Sequence, residues 1–76
     1  MTERLPRITA AEVVRVLERL GFQTVRQSGS HRIFKNSAGK RVTVPIHSGR
    51  ILHPKLLASI MRDADLSAER LRELLS

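Results

Sequence analysis

The chain has 76 residues and no cysteine, so neither a disulfide nor a thiolate zinc site can support its small core. No apolar run is long enough to span a membrane, and the first residues contain no segment of the signal-peptide type, which predicts a soluble cytoplasmic protein. Fourteen Lys and Arg against seven Asp and Glu give a net charge of +7. Without repeats, low-complexity segments or linkers, residues 1–76 are expected to form a single domain.

The first predicted element is a helix over residues 10–20. Thr9 and Glu12 have the spacing of a capping box, in which each residue accepts a hydrogen bond from the backbone of the other. Gly21 is the expected stop. One apolar stripe recurs at helical spacing and is formed by Ala10, Val13, Val14, Leu17 and Leu20.

Three short strands are predicted next, over residues 22–27, 31–36 and 41–46. Turn chemistry separates them, at Ser28-Gly29-Ser30 and at residues 36–40. Tight turns between short strands predict an antiparallel meander with helices on one face. Pro45 cannot donate to a ladder, so the third strand lies at an edge or ends there.

The phase of the second strand stays open at this point. Ile33 and Phe34 are both apolar, so the alternation fits either of them facing the core. Both phenylalanines of the chain, Phe22 and Phe34, are expected in the core, and with no Tyr or Trp the chain lacks the stacking platform of an RRM or OB-fold.

Two further helices follow. Pro54 suits the first turn of a helix over residues 54–64, and Ser67 is the predicted N-cap of the last helix. The predicted fold is α+β in the order α-β-β-β-α-α, with a three-stranded antiparallel sheet and helices packed on one face.

The net charge is concentrated in the middle of the chain. Residues 26–55 hold seven Lys and Arg and no acid, whereas the two flanks nearly cancel. A concentrated positive stretch attracts phosphates, although a merely solvated basic surface or an acidic protein partner fits the same pattern. The candidate RNA contacts are Arg32, Lys35, Lys40, Arg41, Arg50 and Lys55.

His31 is the candidate catalytic residue, because it follows the Gly29-Ser30 turn inside this acid-free stretch. A histidine there can transfer protons near neutral pH, and RNA supplies its own nucleophile in the 2′-OH. The alternative is an ordinary surface histidine. The three histidines have no neighbouring carboxylates to complete a metal site, so no metal and no cofactor is expected.

The chain resembles the HicA family of bacterial toxins over nearly its whole length. The resemblance rests on Leu20-Gly21-Phe22, Gly29-Ser30-His31, residues 42–47 ending in Pro45-Ile46-His47, and Leu66-Ser67. One difference is that family members often carry a Gly near the start of the second helix, where this chain has His53-Pro54-Lys55.

This resemblance implies a fold similar to the double-stranded RNA-binding domain and a toxin that cleaves mRNA, a reaction that the residues discussed above can support without a metal. It also implies that His31 is the catalytic histidine and that a HicB-like antitoxin covers it. His47 and Ser30 are possible second catalytic or phosphate-positioning residues.

The competing hypothesis is a non-catalytic RNA-binding module of the same fold. Such a module needs a Lys-rich start of its last main helix, where this chain offers only Lys55 with Arg50 upstream.

Overall fold

In the computed structural model, which describes residues 5–46 and 49–76, three helices and three strands follow in the order α-β-β-β-α-α, as predicted. The predicted boundaries differ from the observed ones by at most one residue at each end. The elements are α1 Ala10–Arg19, β1 Gln23–Ser28, β2 His31–Lys35, β3 Arg41–Pro45, α2 Pro54–Ala64 and α3 Ala68–Leu75. Within the described ranges, no helix is long and apolar enough to cross a membrane.

Side chains cap the start of every helix. The predicted capping box of α1 is present, with the Glu12 N–H donating to Thr9 Oγ1 at 3.2 Å and the Thr9 N–H donating to Glu12 Oε1 at 2.9 Å. Ser67 caps α3 as predicted. The cap of α2 is His53, whose Nδ1 accepts from the Lys55 N–H at 3.0 Å. This cap was not foreseen from the sequence.

The strands form one antiparallel sheet in the order β1-β2-β3, with β3 at an edge as Pro45 predicted. Phe34, Val42 and Val44 are fully buried on one face of β2 and β3. We call this the inner face. Helices α1 and α2 both contact β3 and join these residues in one hydrophobic core, which makes the expected two-layer arrangement.

The helices lie on one face of the sheet, as predicted, and within that arrangement β1 remains exposed. All six residues of β1 are exposed. The composition of the strand explains this, because Val25 is its only apolar residue. Val25 is 55% exposed and lies in an irregularity of the β1–β2 register between Thr24 and Arg26.

Helix α3 completes the core from the side of α1. Leu71 is fully buried, and the Arg19 Nη1 donates to the Leu74 backbone carbonyl oxygen at 2.7 Å. The two helices are therefore joined by both apolar packing and a hydrogen bond between distant parts of the sequence.

Candidate functional site

The phase of β2, which the sequence left open, places His31 away from the helices. Phe34 is fully buried on the inner face, and side chains alternate along a strand. His31, Ile33 and Lys35 therefore share the opposite face, which no helix covers. We call it the open face.

Nine residues of the open face form three rows across the sheet, since directly opposed residues of neighbouring strands point to the same side. Each row runs from β1 through β2 to β3. The rows are Ser28, His31 and Pro45; Arg26, Ile33 and Thr43; and Gln23, Lys35 and Arg41.

A tight turn and a backbone hydrogen bond fix the position of His31. Gly29 and Ser30 alone connect Ser28 to His31, and Gly29 has a φ of +58°, the sign that a type II′ hairpin turn requires at its first central residue. On the other side, the Ile46 N–H donates to the Ser30 carbonyl at 2.6 Å. His31 and Pro45 are thereby a close, non-hydrogen-bonded pair.

The His31 side chain is exposed and makes no hydrogen bond to any other atom of residues 5–46 and 49–76. Both ring nitrogens are thus available to a ligand that approaches the open face. An imidazole in this position can accept or donate a proton, which is the property required of a general base or acid.

Of the two possible second catalytic residues, Ser30 lies in the exposed turn next to His31. Its backbone carbonyl accepts the hydrogen bond from the Ile46 N–H, whereas its side chain is exposed. His47 lies outside the described residues.

Three of the six predicted RNA-contacting cations lie near the end of the open face that is remote from His31. Lys35 and Arg41 are directly opposed, and both are exposed. Lys40 is exposed in the following turn, where its backbone N–H donates to Asn36 Oδ1 at 2.9 Å.

Arg32 points to the other side of the sheet from His31. It is half-buried on the inner face between Gln27 and Val44, and its Nε is buried without a hydrogen-bond partner in the described part of the chain. A ligand on the open face therefore does not meet this side chain. The sequence-based prediction that Arg32 contacts RNA stays a prediction.

Arg50 and Lys55 lie outside the sheet. Arg50 is exposed just before Ile51, which forms an isolated bridge with Thr9, and Lys55 is exposed in the first turn of α2. The six cations thus do not form one surface, and the sheet brings together only some of them.

One cation of the open face was missed in the sequence. Arg26 is exposed and lies opposite Ile33, between the row of His31 and the row of Lys35. A two-residue loop places Ser28 opposite His31. Two positions further from the turn on each strand, the same register places Arg26 opposite Ile33 on the face of His31. Ser28 was expected in the turn, which hid this register.

The three strands and the turns between them carry no acidic residue. No Asp or Glu occurs between Glu18 and Asp63, a range that includes the whole sheet. Among the described residues, no three His, Asp or Glu side chains are grouped so that they could hold a metal ion. In the described part of the chain, the site is therefore a cationic surface on which His31 supplies the imidazole.

Comparison with known families connects this geometry to a class of proteins. The family described as HicA toxin of bacterial toxin–antitoxin systems matches residues 10–66, which span α1, the sheet and α2 but not α3. A comparison with curated proteins gives no significant match. The family match covers most of the chain and includes His31, so the chain belongs to the HicA toxin family and is a toxin that pairs with an antitoxin.

Proposed function

We propose that the protein is an endoribonuclease that cleaves mRNA and that His31 is its proton-transfer residue. The observation that carries this proposal is the exposed, unpaired His31 ring on an acid-free cationic sheet face. Membership of a toxin family supports it, because cutting messages is an effective way to stop growth.

The chemistry needs few protein groups. The RNA 2′-oxygen attacks the neighbouring phosphorus, its proton leaves, and the 5′-oxygen of the next nucleotide departs with a proton. His31 can remove the first proton or supply the second, a contribution of roughly 10²–10⁴ in rate. Cationic side chains stabilise the charge that develops on the phosphoryl oxygens. Ser30 and His47 are proposed to position the phosphate or to serve as the second proton-transfer group.

No step of this proposal uses a metal ion. Divalent ions in nucleases are usually held by carboxylates, and the sheet and its connections contain none between Glu18 and Asp63. We therefore expect cleavage to persist in the presence of EDTA.

The proposed partner that controls this activity is an acidic, HicB-like antitoxin that covers His31 in the cytoplasm. A toxin of this family pairs with an antitoxin, and a chain that presents carboxylates to the open face would find a surface of opposite charge. Such a partner and RNA should compete, and its association rate should fall as salt rises. Inhibition by a partner that protects only α3 from hydrogen exchange would contradict direct occlusion.

The experiment that tests the function is cleavage of single-stranded RNA with EDTA present. His31→Ala should lose at least roughly 10² in cleavage rate while RNA affinity and fold stay near wild type. The matched control is His53→Ser, which removes another exposed histidine and supplies a hydroxyl oxygen in place of Nδ1 as the acceptor of the α2 cap.

Two outcomes would decide against the proposal. Equal cleavage by wild type and His31→Ala would remove His31 from the mechanism. RNA retention without cleavage by the wild type would support the non-catalytic module. In cells, growth arrest by the wild type but not by His31→Ala gives an independent readout.

A further inference from the structure

The end of the open face remote from His31 has an unfavourable arrangement of charge. Lys35 and Arg41 are directly opposed, and the hydrogen bond from the Asn36 N–H to the Lys40 carbonyl at 3.1 Å makes them a close, non-hydrogen-bonded pair. Like charges in such a pair destabilise a sheet.

Nothing in the described structure offsets this repulsion. Neither Lys35 nor Arg41 makes a hydrogen bond or ion pair through its side chain to residues 5–46 and 49–76. No acid lies near them in sequence. A bound anion between the two side chains would relieve the repulsion, so the pair is suited to a phosphate.

The distance from His31 to this pair is longer than one step of an RNA backbone. Lys35 lies four residues after His31 along β2 on the same face, which corresponds to about 14 Å at about 3.4 Å per residue. Adjacent phosphorus atoms in RNA are joined by six bonds of about 1.5 Å, which reach at most about 7 Å. Two such steps reach at most about 14 Å, so the second phosphate along an extended strand matches the spacing between the row of His31 and the row of Lys35 and Arg41.

The row between the two ends combines a cation with an apolar residue. Ile33 is half-buried in the middle strand, with exposed Arg26 and Thr43 on either side. A sugar or an unpaired base can contact Ile33, and Arg26 can approach the intervening phosphate. Single-stranded RNA can turn its bases toward a protein, whereas a duplex keeps them stacked and paired.

We propose that single-stranded RNA lies along β2 on the open face, with the scissile phosphate at His31 and the second phosphate beyond it held between Lys35 and Arg41. This inference rests on the proposed ribonuclease function and adds to it a binding register. Arg50 and Lys55 lie outside the sheet and are not part of this register.

The test uses an oligodeoxynucleotide with a single ribonucleotide. Cleavage then occurs at one bond only, because the 2′-OH is the nucleophile. In a series of such strands, each phosphate in turn is replaced by an uncharged methylphosphonate, and kcat/KM is measured. The wild type should lose about tenfold when the second phosphate on one side of the scissile bond is neutral, as expected for a lost charge-assisted contact.

Variants connect that loss to the two cations. In the Lys35→Gln/Arg41→Gln double variant, neutralising the second phosphate should change kcat/KM less than twofold. Arg15→Gln removes an exposed cation on α1, in the helical layer, and should retain the wild-type profile. A wild-type profile that is flat, or that is sensitive only at the adjacent phosphate, would overturn the register.

The outcomes separate this inference from the function on which it rests. Cleavage of the unmodified strand by the wild type and not by His31→Ala supports the ribonuclease whatever the methylphosphonate profile shows. If that cleavage is intact and the double variant loses only binding of the antitoxin, the pair belongs to a protein interface and the RNA register is wrong.

A second measurement distinguishes a binding role from a structural one. Lys35→Glu replaces the repelling pair by an attractive one, so the thermal unfolding midpoint should rise while oligonucleotide affinity falls at least about tenfold. A joint fall of stability and affinity would indicate that Lys35 acts through the fold, contrary to the proposal.

Discussion

His31 and Arg32 are neighbours in the chain, yet their side chains lie on opposite faces of the sheet. His31 is exposed on the open face, whereas Arg32 is half-buried opposite Val44 on the inner face. Two basic residues in one motif therefore have different surroundings, and substitutions at the two positions should have different consequences.

Replacing Arg32 by Met should leave cleavage close to the wild-type rate and should not lower the free energy of unfolding. The physical reason is that the Arg32 Nε is buried without a described partner, an arrangement that costs about 1–3 kcal/mol, while Met retains the apolar length of the side chain. Urea denaturation and the RNA cleavage assay measure the two effects. A loss of cleavage as large as that of His31→Ala would instead support Arg32 as an RNA contact.

Replacing Gly29 by Ala should destabilise the protein by about 1–3 kcal/mol, because an L-residue is strained at a φ of +58°. Beyond the two neighbouring residues in the chain, a Cβ at this position meets no atom within 4 Å, so the effect comes from the backbone conformation and not from crowding by distant residues. Since the turn positions His31, cleavage per folded molecule should fall as well.

The matched control for this substitution is D-alanine at position 29, introduced by chemical synthesis. It adds the same methyl group but favours positive φ, so it should retain stability and activity. Equal losses for the two alanine enantiomers would show that backbone strain is not the cause.

Replacing Leu71 by Ala should lower the free energy of unfolding by about 2–5 kcal/mol, since the residue is fully buried. Arg70→Ala is the control within the same helix. Its ion pair with Glu73, at 3.2 Å, is more than half exposed on both sides and should contribute about 0–1 kcal/mol. Equal urea midpoints for the two variants would show that α3 is not part of the cooperative core.

Features that depend on local chemistry were predictable from the sequence. The capping box of Thr9 and Glu12 needs only residues three apart, and the Ser67 cap follows the same logic. The edge position of Pro45 follows from its missing N–H. These features fix the order of the elements, so the fold class could be predicted.

The facing of the strands depends on tertiary contacts and was not predictable in full. Ile33 and Phe34 are equally apolar, and only packing against the helices decides that Phe34 is inside. The register irregularity between Thr24 and Arg26 has no glycine or other sequence signal. Histidine is an uncommon N-cap, which is why the role of His53 was missed.

The contact between α1 and α3 has a consequence for the order in which the parts of the protein fold during synthesis. The acceptor of the Arg19 hydrogen bond, the Leu74 carbonyl, lies 55 positions later in the chain. Until that segment is synthesised, the surface of α1 that packs on α3 stays uncovered. The sheet, by contrast, is built from neighbouring segments joined by tight turns and can form early. On the ribosome, the sheet that positions His31 can therefore form before α3 is available to complete the hydrophobic core.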